Sequence, residues 1–140
     1  GQVCGLGFAY QAPAEAGRLV RPSADAVARA IDGALSDAGL QARDLGRVVS
    51  TSGGLPGVFE CEAAALARSC AGVPVDRPGK FWGEAHAAGA GQALLAALGW
   101  LSRAGAAGVP DAGSHALVLA TGLRGSASAA VLSGAPVDPA

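Results

Sequence analysis

The chain has 140 residues, of which 51% are hydrophobic and 15% charged, and its formal net charge is -1. This length supports one domain with its own core, residues 1–140, and the apolar content excludes a disordered tail. The balanced charge, without a Lys or Arg cluster, argues against binding to nucleic acid or to an anionic membrane. Three cysteines without a Cys-x-x-Cys spacing predict free thiols in a reducing cytoplasm and no metal site.

The first half of the chain predicts a strand, a helix and a strand. Residues 3–10 are β-rich and end in a turn-forming stretch. Ser23 is a typical N-cap, apolar residues follow at helical spacing over residues 24–38, and Gly39 supplies the stop. Residues 47–50 (RVVS) predict a short buried strand that runs into the irregular loop TSGGLPG.

The second half predicts two helices and then two strands. Residues 60–69 have a helix-forming composition, whereas the following AGVPVDRPGK is interrupted by two prolines. The long run GEAHAAGAGQALLAALGWLSRAG is apolar on nearly every face, which predicts a helix buried in the middle of a domain. Residues 115–120 and 126–132 predict a hairpin around TGLRG. The predicted order is strand-helix-strand-helix-helix-strand-strand.

Three segments in this order resemble the C-terminal half of the β-ketoacyl synthases, which belong to the thiolase superfamily. TSGGLPGVFECEAAAL resembles the family's His-Gly-Thr-Gly-Thr-Pro loop with the helix after it, and GKFWGEAHAAGAGQALLAAL resembles its Lys-Ser-x-x-Gly-His-Thr loop with a buried helix. ATGLRGSASAAVLS resembles its Gly-Phe-Gly-Gly hairpin and last strand. The positions placed on the family pattern are Gly54, Pro56, Glu62 and Leu66, then Lys80 and Gly83, then Gly122 and Gly125.

The resemblance covers nearly the whole chain and implies an α/β fold, the thiolase-like half, with a mixed five-stranded sheet packed with helices. In the family, two similar halves of this kind sandwich shared helices between their sheets. The nucleophilic cysteine of the family lies in the N-terminal half, which this sequence does not contain. None of Cys4, Cys61 and Cys70 stands where that nucleophile would be expected.

Two departures from the family pattern decide the predicted chemistry. Thr51 and Glu84 occupy the positions of the two catalytic histidines, which in the family bind the thioester oxygen and assist decarboxylation. A hydroxyl and a carboxylate do not supply the same N–H donors, and an ionised Glu84 would repel a developing enolate. Loss of these residues is characteristic of chain-length-factor subunits, which pair with an active ketosynthase. The sequence is similar to them in that respect and predicts no decarboxylative condensation by this chain.

Further site residues follow from the same loops. A remnant acyl or pantetheine pocket is predicted to be lined by Ser52, Gly54, Gly122 and Arg124. Hydroxyls in such a loop also commonly bond their own backbone, and Arg124 would otherwise be a solvated turn residue.

The charged residues around the two substituted positions receive structural roles. Glu62 is predicted to be structural, and Lys80 to form a salt bridge with Glu62 or Glu84. Glu84 at a helix start is also stabilised by the helix dipole. His86 lies two residues after Glu84, and residues two apart in a helix point to different faces, so a catalytic pair is not predicted.

The sequence therefore predicts a non-catalytic, chain-length-factor-like component of a polyketide or fatty acid synthase. It would complete the fold and acyl pocket of a ketosynthase subunit or N-terminal half, in a cytoplasmic hetero-oligomer served by an acyl carrier protein. No cofactor is expected, and an acyl-phosphopantetheine thioester is the expected ligand. Two alternatives stay open. One is a half synthase or acyltransferase that uses a cysteine of the missing half with Thr51, Glu84 or His86, and the other is a non-enzymatic thiolase-fold structural or binding module.

Overall fold

The computed structural model describes residues 1–12, 22–52, 57–83, 88–106, 114–122 and 125–134. Gly54, Glu84, His86 and Arg124, four of the predicted site residues, lie outside these ranges. In chain order the elements are β1 (Gln2–Tyr10), α1 (Ala24–Ala38), a 3₁₀ turn (Ala42–Asp44), β2 (Leu45–Ser50), α2 (Val58–Ser69), β3 (Val75–Asp76), α3 (Gly79–Trp82), α4 (Gly89–Ala106), β4 (His115–Thr121) and β5 (Ser126–Ser133).

The five strands form one mixed sheet in the order β1-β5-β4-β2-β3. β2 is parallel to both β3 and β4, and β5 is antiparallel to both β4 and β1. The predicted five-stranded mixed sheet and the β4-β5 hairpin are confirmed. The fifth strand, β3, was not expected in the proline-interrupted segment. It forms because the carbonyl of Pro74 accepts a 2.9 Å hydrogen bond from the Val48 N–H, so the N–H that proline lacks is not needed.

Helix α1 begins and ends where its sequence predicts. The Ser23 hydroxyl accepts a hydrogen bond from the Ala26 N–H at 3.1 Å, and Gly39 ends the helix in the left-handed conformation with φ 67°. The helix packs closely on β1 because two strand residues, Gly5 and Gly7, present no side chain to it. The local signals and the tertiary contacts of this segment therefore agree.

Helices cover the two faces of the sheet unequally. The α1 face of the sheet, covered by α1 and α2, holds the larger core cluster, with Val48, Leu117 and Val131 fully buried. The opposite face, which we call the α4 face, holds a smaller cluster in which α4 packs through Ala93 and Ala97. Among the described residues, α4 is the one long helix on that face.

The prediction that α4 is buried in the middle of a domain is wrong for the described part of this chain. Ala93, Ala97 and Leu101 lie against the sheet, but Leu94, Leu95 and Leu98 are exposed. A helix that is apolar all round is fully buried only when a second layer covers its outer side. No described element of this chain forms that layer. None of the helices in the described ranges is long and apolar enough to cross a membrane.

Candidate functional site

A buried glutamate joins α2 to the ends of two strands. Glu62 is fully buried, and its Oε2 accepts hydrogen bonds from the hydroxyls of Ser50 and Ser52, both at 2.5 Å. Its Oε1 accepts a 2.8 Å hydrogen bond from the Thr121 hydroxyl. A carboxyl group taken out of water needs such partners for both oxygens, and here three hydroxyls provide them. We call Glu62, Ser50, Ser52 and Thr121 the Glu62 cluster. Its hydrogen bonds hold the ends of β2 and β4 against α2.

The Glu62 cluster also sets the direction of Thr51. Side chains alternate along an extended chain, so Ser50 and Ser52 point together to the α1 face and Thr51 points to the α4 face. The Thr51 N–H donates to the Leu119 carbonyl at 2.9 Å, which continues the pairing of β2 with β4 as far as this residue. Thr51 is half-buried and held between two anchored serines.

The first residue of α4 lies directly opposite Thr51. A Cβ atom added to Gly89 would be 3.7 Å from the Thr51 Cβ, which is ordinary van der Waals contact. The strand end that the sequence singled out therefore meets the start of the long helix. Glu84, the other substituted position, precedes this helix start by five residues and is outside the described ranges. The predicted closeness of Thr51 and Glu84 stays a prediction.

The chemistry available at Thr51 is limited. A threonine hydroxyl can donate one hydrogen bond and accept others, so it can orient a carbonyl oxygen. It is not a general acid or base of the kind an imidazole provides near neutral pH. Within the described part of the chain, no group of three or more His, Cys, Asp or Glu side chains could hold a metal ion.

The other predicted pocket residues have distinct surroundings. Ser52 is buried with its hydroxyl on Glu62, and its role in lining a pocket stays a prediction. Gly122 follows Thr121 at the end of β4, and its N–H donates to the Ser126 carbonyl at 2.8 Å. A Cβ atom at Gly122 would meet the Ser126 hydroxyl, a side-chain group that can rotate away.

Lys80 lies on α3 and faces an aromatic ring. Its Nζ is 5.5 Å from the centre of the Phe59 ring, and the Arg77 guanidinium is 4.8 Å from the same centre. Of the two predicted partners of Lys80, Glu62 forms no ion pair with it among the described residues. The spacing of Lys80 from Gly83 also departs from the family pattern. Lys80 precedes Gly83 by three residues, whereas the Lys-Ser-x-x-Gly pattern requires four.

Sequence reasoning named Glu62 and Ser52 but missed Ser50 and Thr121. A usable signal was present, because each of the neighbouring strands β2 and β4 ends in a hydroxyl residue. The carboxyl ends of parallel strands lie at one edge of a sheet, where such side chains meet. Hydroxyl residues at two such ends, together with a glutamate in an Ala-rich helix, indicate a buried polar cluster.

Cys70 is not suited to nucleophilic chemistry. Burial, with the charge of Asp32 adding to it, raises the pKa of the Cys70 thiol to about 11. Because the thiolate is the reactive form, we expect Cys70 to react with iodoacetamide at pH 8 at least about tenfold more slowly in the folded chain than in urea. Mass spectrometry of differentially alkylated peptides measures both rates. Equal rates in the two states would contradict the buried, protonated thiol.

Comparisons with known proteins identify the fold. No protein family model and no curated protein matches the chain. Among solved structures, the ishigamide ketosynthase/chain length factor is 18% identical with a TM-score of 0.74, over 94% of this chain and 37% of the other. A ketosynthase in complex with its chain length factor from Xenorhabdus doucetiae is 16% identical with a TM-score of 0.64, over 95% and 39%. A type II acyl-carrier protein in complex with its ketosynthase matches with 19% identity and a TM-score of 0.66, over 94% and 38%.

These comparisons confirm the predicted fold class. The mixed five-stranded sheet packed with helices is the thiolase-like α/β fold found in ketosynthases. The chain spans less than half the length of each of the three structures named above. At identities below 20%, the likeness concerns the fold and not the reaction.

Proposed function

We propose that the chain is a non-catalytic, chain-length-factor-like component of a polyketide or fatty acid synthase. One observation carries the proposal. At the position of a catalytic histidine in the resembled family, this chain has Thr51, which directly follows β2 and lies opposite the start of α4 in a scaffold held by the Glu62 cluster. A subunit that shapes the acyl pocket of a partner needs the family's scaffold but not its catalytic histidine.

The ordered hydrogen bonds at the end of β2 support a role in forming the wall of an acyl pocket. Ser50 and Ser52 are both anchored on Glu62, so the direction of the intervening Thr51 is defined. A neutral hydroxyl can border an acyl or pantetheine chain without drawing a proton from it. We propose that Thr51 borders such a pocket at the contact with a partner, together with Gly122, Gly54 and Arg124.

The proposed partner is a ketosynthase subunit or N-terminal half, and the proposed ligand is an acyl-phosphopantetheine thioester carried by an acyl carrier protein. Two similar structures are a ketosynthase in complex with its chain length factor and an acyl-carrier protein in complex with its ketosynthase. The exposed apolar side of α4 also calls for a covering partner.

Activity of the assembled complex separates the proposal from the enzyme alternative. The complex is purified from the native host through this chain, its ketosynthase subunit is identified by mass spectrometry, and condensation of malonyl carrier protein is measured. We expect Thr51→Ala in this chain to leave kcat/KM within about twofold, because a group that takes no part in proton transfer can be removed at little cost in rate. Substitution of the partner's nucleophilic cysteine is the control and should abolish condensation.

A large effect of the same substitution would support a catalytic role. A loss of about 10²- to 10⁴-fold in kcat with Thr51→Ala is the range expected when an acid or base is removed, and it would overturn the non-catalytic proposal. Absence of any ketosynthase from the purified complex would remove the proposed partner and favour the stand-alone module.

A further inference from the structure

Among the described residues, the α4 face carries two depressions of different chemistry, one on each side of α4. The groove between β1 and α4 has a volume of about 400 Å³, and none of the residues that line it is charged. The other depression, which we call the β3 cleft, has a volume of about 480 Å³ and lies between residues 76–81 and residues 95–103 of α4. Arg77 and Arg103 line the β3 cleft together with Asp76. Charge therefore distinguishes the β3 cleft from the groove.

The β3 cleft has an excess of positive charge. Asp76, the carboxylate that lines it, is already paired, because the Arg47 guanidinium lies 2.7 Å from its Oδ2. The ion pairs among the described residues leave Arg77 and Arg103 without a carboxylate partner. In this part of the structure, three guanidinium groups thus stand against one carboxylate, although the formal net charge of the chain is -1. A cleft with one sign of charge in excess attracts a group of the opposite sign.

Arg77 is held in position by an aromatic ring. Its guanidinium lies 4.8 Å from the centre of the Phe59 ring on α2, and the residue is half-buried. A guanidinium on a ring face keeps in-plane N–H groups for an acceptor, and its planar shape matches the two oxygens of a carboxylate. Because the group is fixed beforehand, less entropy is lost when it binds. Arg77 is therefore preorganised to bind a carboxylate.

Apolar residues on both walls accompany the two arginines. Pro78 and Phe81 belong to one wall, and Leu95 and Gly99 belong to the other. Phe81 and Leu95 are 87% and 71% exposed in this chain. Interfaces between proteins combine such apolar contacts with arginine, whereas a free inorganic anion would leave the apolar side chains in water. The lining of the β3 cleft thus fits a protein segment better than a small ion.

The α4 wall of the β3 cleft is continuous with the exposed apolar side of the helix. Leu95, Gly99 and Arg103 follow one another at intervals of about one turn, so they lie on one side of α4. A partner that covers the exposed leucines of α4 therefore also covers the cleft and takes its guanidinium groups out of water. A charge removed from water is costly unless a hydrogen-bonded opposite charge replaces the water. The covering surface must supply carboxylates at this place.

We infer that the covering partner places an acidic segment in the β3 cleft, where its carboxylates pair with Arg77 and Arg103. This inference rests on the proposed function, because it takes the ketosynthase subunit or N-terminal half as that partner. Each wall contributes one arginine, and residues 95–103 span about 12 Å along the helix. An extended segment of about four residues covers this length. Asp or Glu at two of its positions meets the two guanidinium groups.

Charge reversal in the purified complex tests the inference. The complex is isolated from the native host through a tag on this chain, and its ketosynthase is quantified by mass spectrometry at about 0.15 M salt. We expect Arg77→Glu and Arg103→Glu each to lower the retained ketosynthase by about tenfold or more, because each change sets like charges against each other. Arg29→Glu, an exposed change on α1, is the control and should leave the amount within about twofold.

Carbodiimide coupling of the same complex identifies the carboxylates themselves. Arg77→Lys and Arg103→Lys keep the positive charge and place an amine in the cleft, which the reagent joins to a contacting carboxylate as an amide. We expect mass spectrometry to find peptides that link each substituted position to an Asp or Glu of the ketosynthase. Arg29→Lys is the control and should give no such peptide. Peptides that link positions 77 and 103 only to carboxylates of this chain overturn the inference.

Circular dichroism and the urea midpoint of each variant establish that it is folded. Equal retention of the ketosynthase by the unaltered chain and by both Glu variants overturns the inference and leaves the proposed function standing. A complex that contains no ketosynthase even with the unaltered chain overturns both. Loss of the ketosynthase with the Glu variants, together with the expected linked peptides, supports both.

Discussion

Replacing Glu62 with alanine is expected to lower the free energy of unfolding by about 3–5 kcal/mol. The change removes the common acceptor of three hydroxyls and leaves a cavity beside Ser50, Ser52 and Thr121. Each buried hydroxyl left without a partner carries its own desolvation cost. Urea unfolding at fixed chain concentration, analysed by linear extrapolation, measures the difference and keeps any contribution of self-association constant.

Glu62→Gln is the matched control for this prediction. The amide keeps the volume and one carbonyl acceptor, and a serine hydroxyl can rotate to accept from its NH₂ group. We therefore expect a smaller loss, about 1–2 kcal/mol. Equal losses for the alanine and glutamine variants would contradict this expectation, since they would show that the lost carboxylate hydrogen bonds, and not the cavity, account for the whole effect.

Gly7→Ala is expected to destabilise the fold by about 3 kcal/mol although it adds a single methyl group. A Cβ at Gly7 would overlap the backbone oxygen of Ala30 and the backbone nitrogen of Ala34. Main-chain atoms cannot rotate away as a side chain can, so α1 would have to move off β1. Urea unfolding measures the loss, and a lower near-ultraviolet signal is expected if α1 shifts.

Gly33→Ala examines the same contact from the helix side. A Cβ at Gly33 would meet only the Gly7 Cα, at an ordinary 3.5 Å. Alanine in the interior of α1 is favoured over glycine, so we expect a gain of about 0.5–1 kcal/mol. If Gly7→Ala were as harmless as Gly33→Ala, the close approach of α1 to β1 would not be present in solution.

The helices and strands that the sequence predicted well are those with local signals. Ser23 and Gly39 bounded α1 because a hydroxyl cap and a left-handed glycine act within one turn of the chain. Strand β3 could not be found in this way, since its two residues are extended only because they pair with β2. The burial of α4 was mispredicted for a related reason, because composition gives a helix's apolarity but not what covers it.

In the candidate site, too, sequence reasoning found some residues and missed others. The resemblance singled out Thr51 and Glu62, and the structure places Thr51 directly after β2 and Glu62 on α2, where it is hydrogen-bonded to the neighbours of Thr51. The partners of Glu62 were not foreseen in full, since Thr121 lies 59 residues away along the chain. Their meeting depends on the parallel pairing of β2 with β4, which no local pattern specifies.

Local sequence thus determined the limits of α1 and the β4-β5 hairpin, because caps and turns are properties of neighbouring residues. Tertiary structure alone decided that Glu62 is satisfied by three hydroxyls and that one face of the sheet is left with an open groove. Hydrogen bonds and burial join residues far apart in the chain, so they are defined only once the strands have paired and the helices have packed.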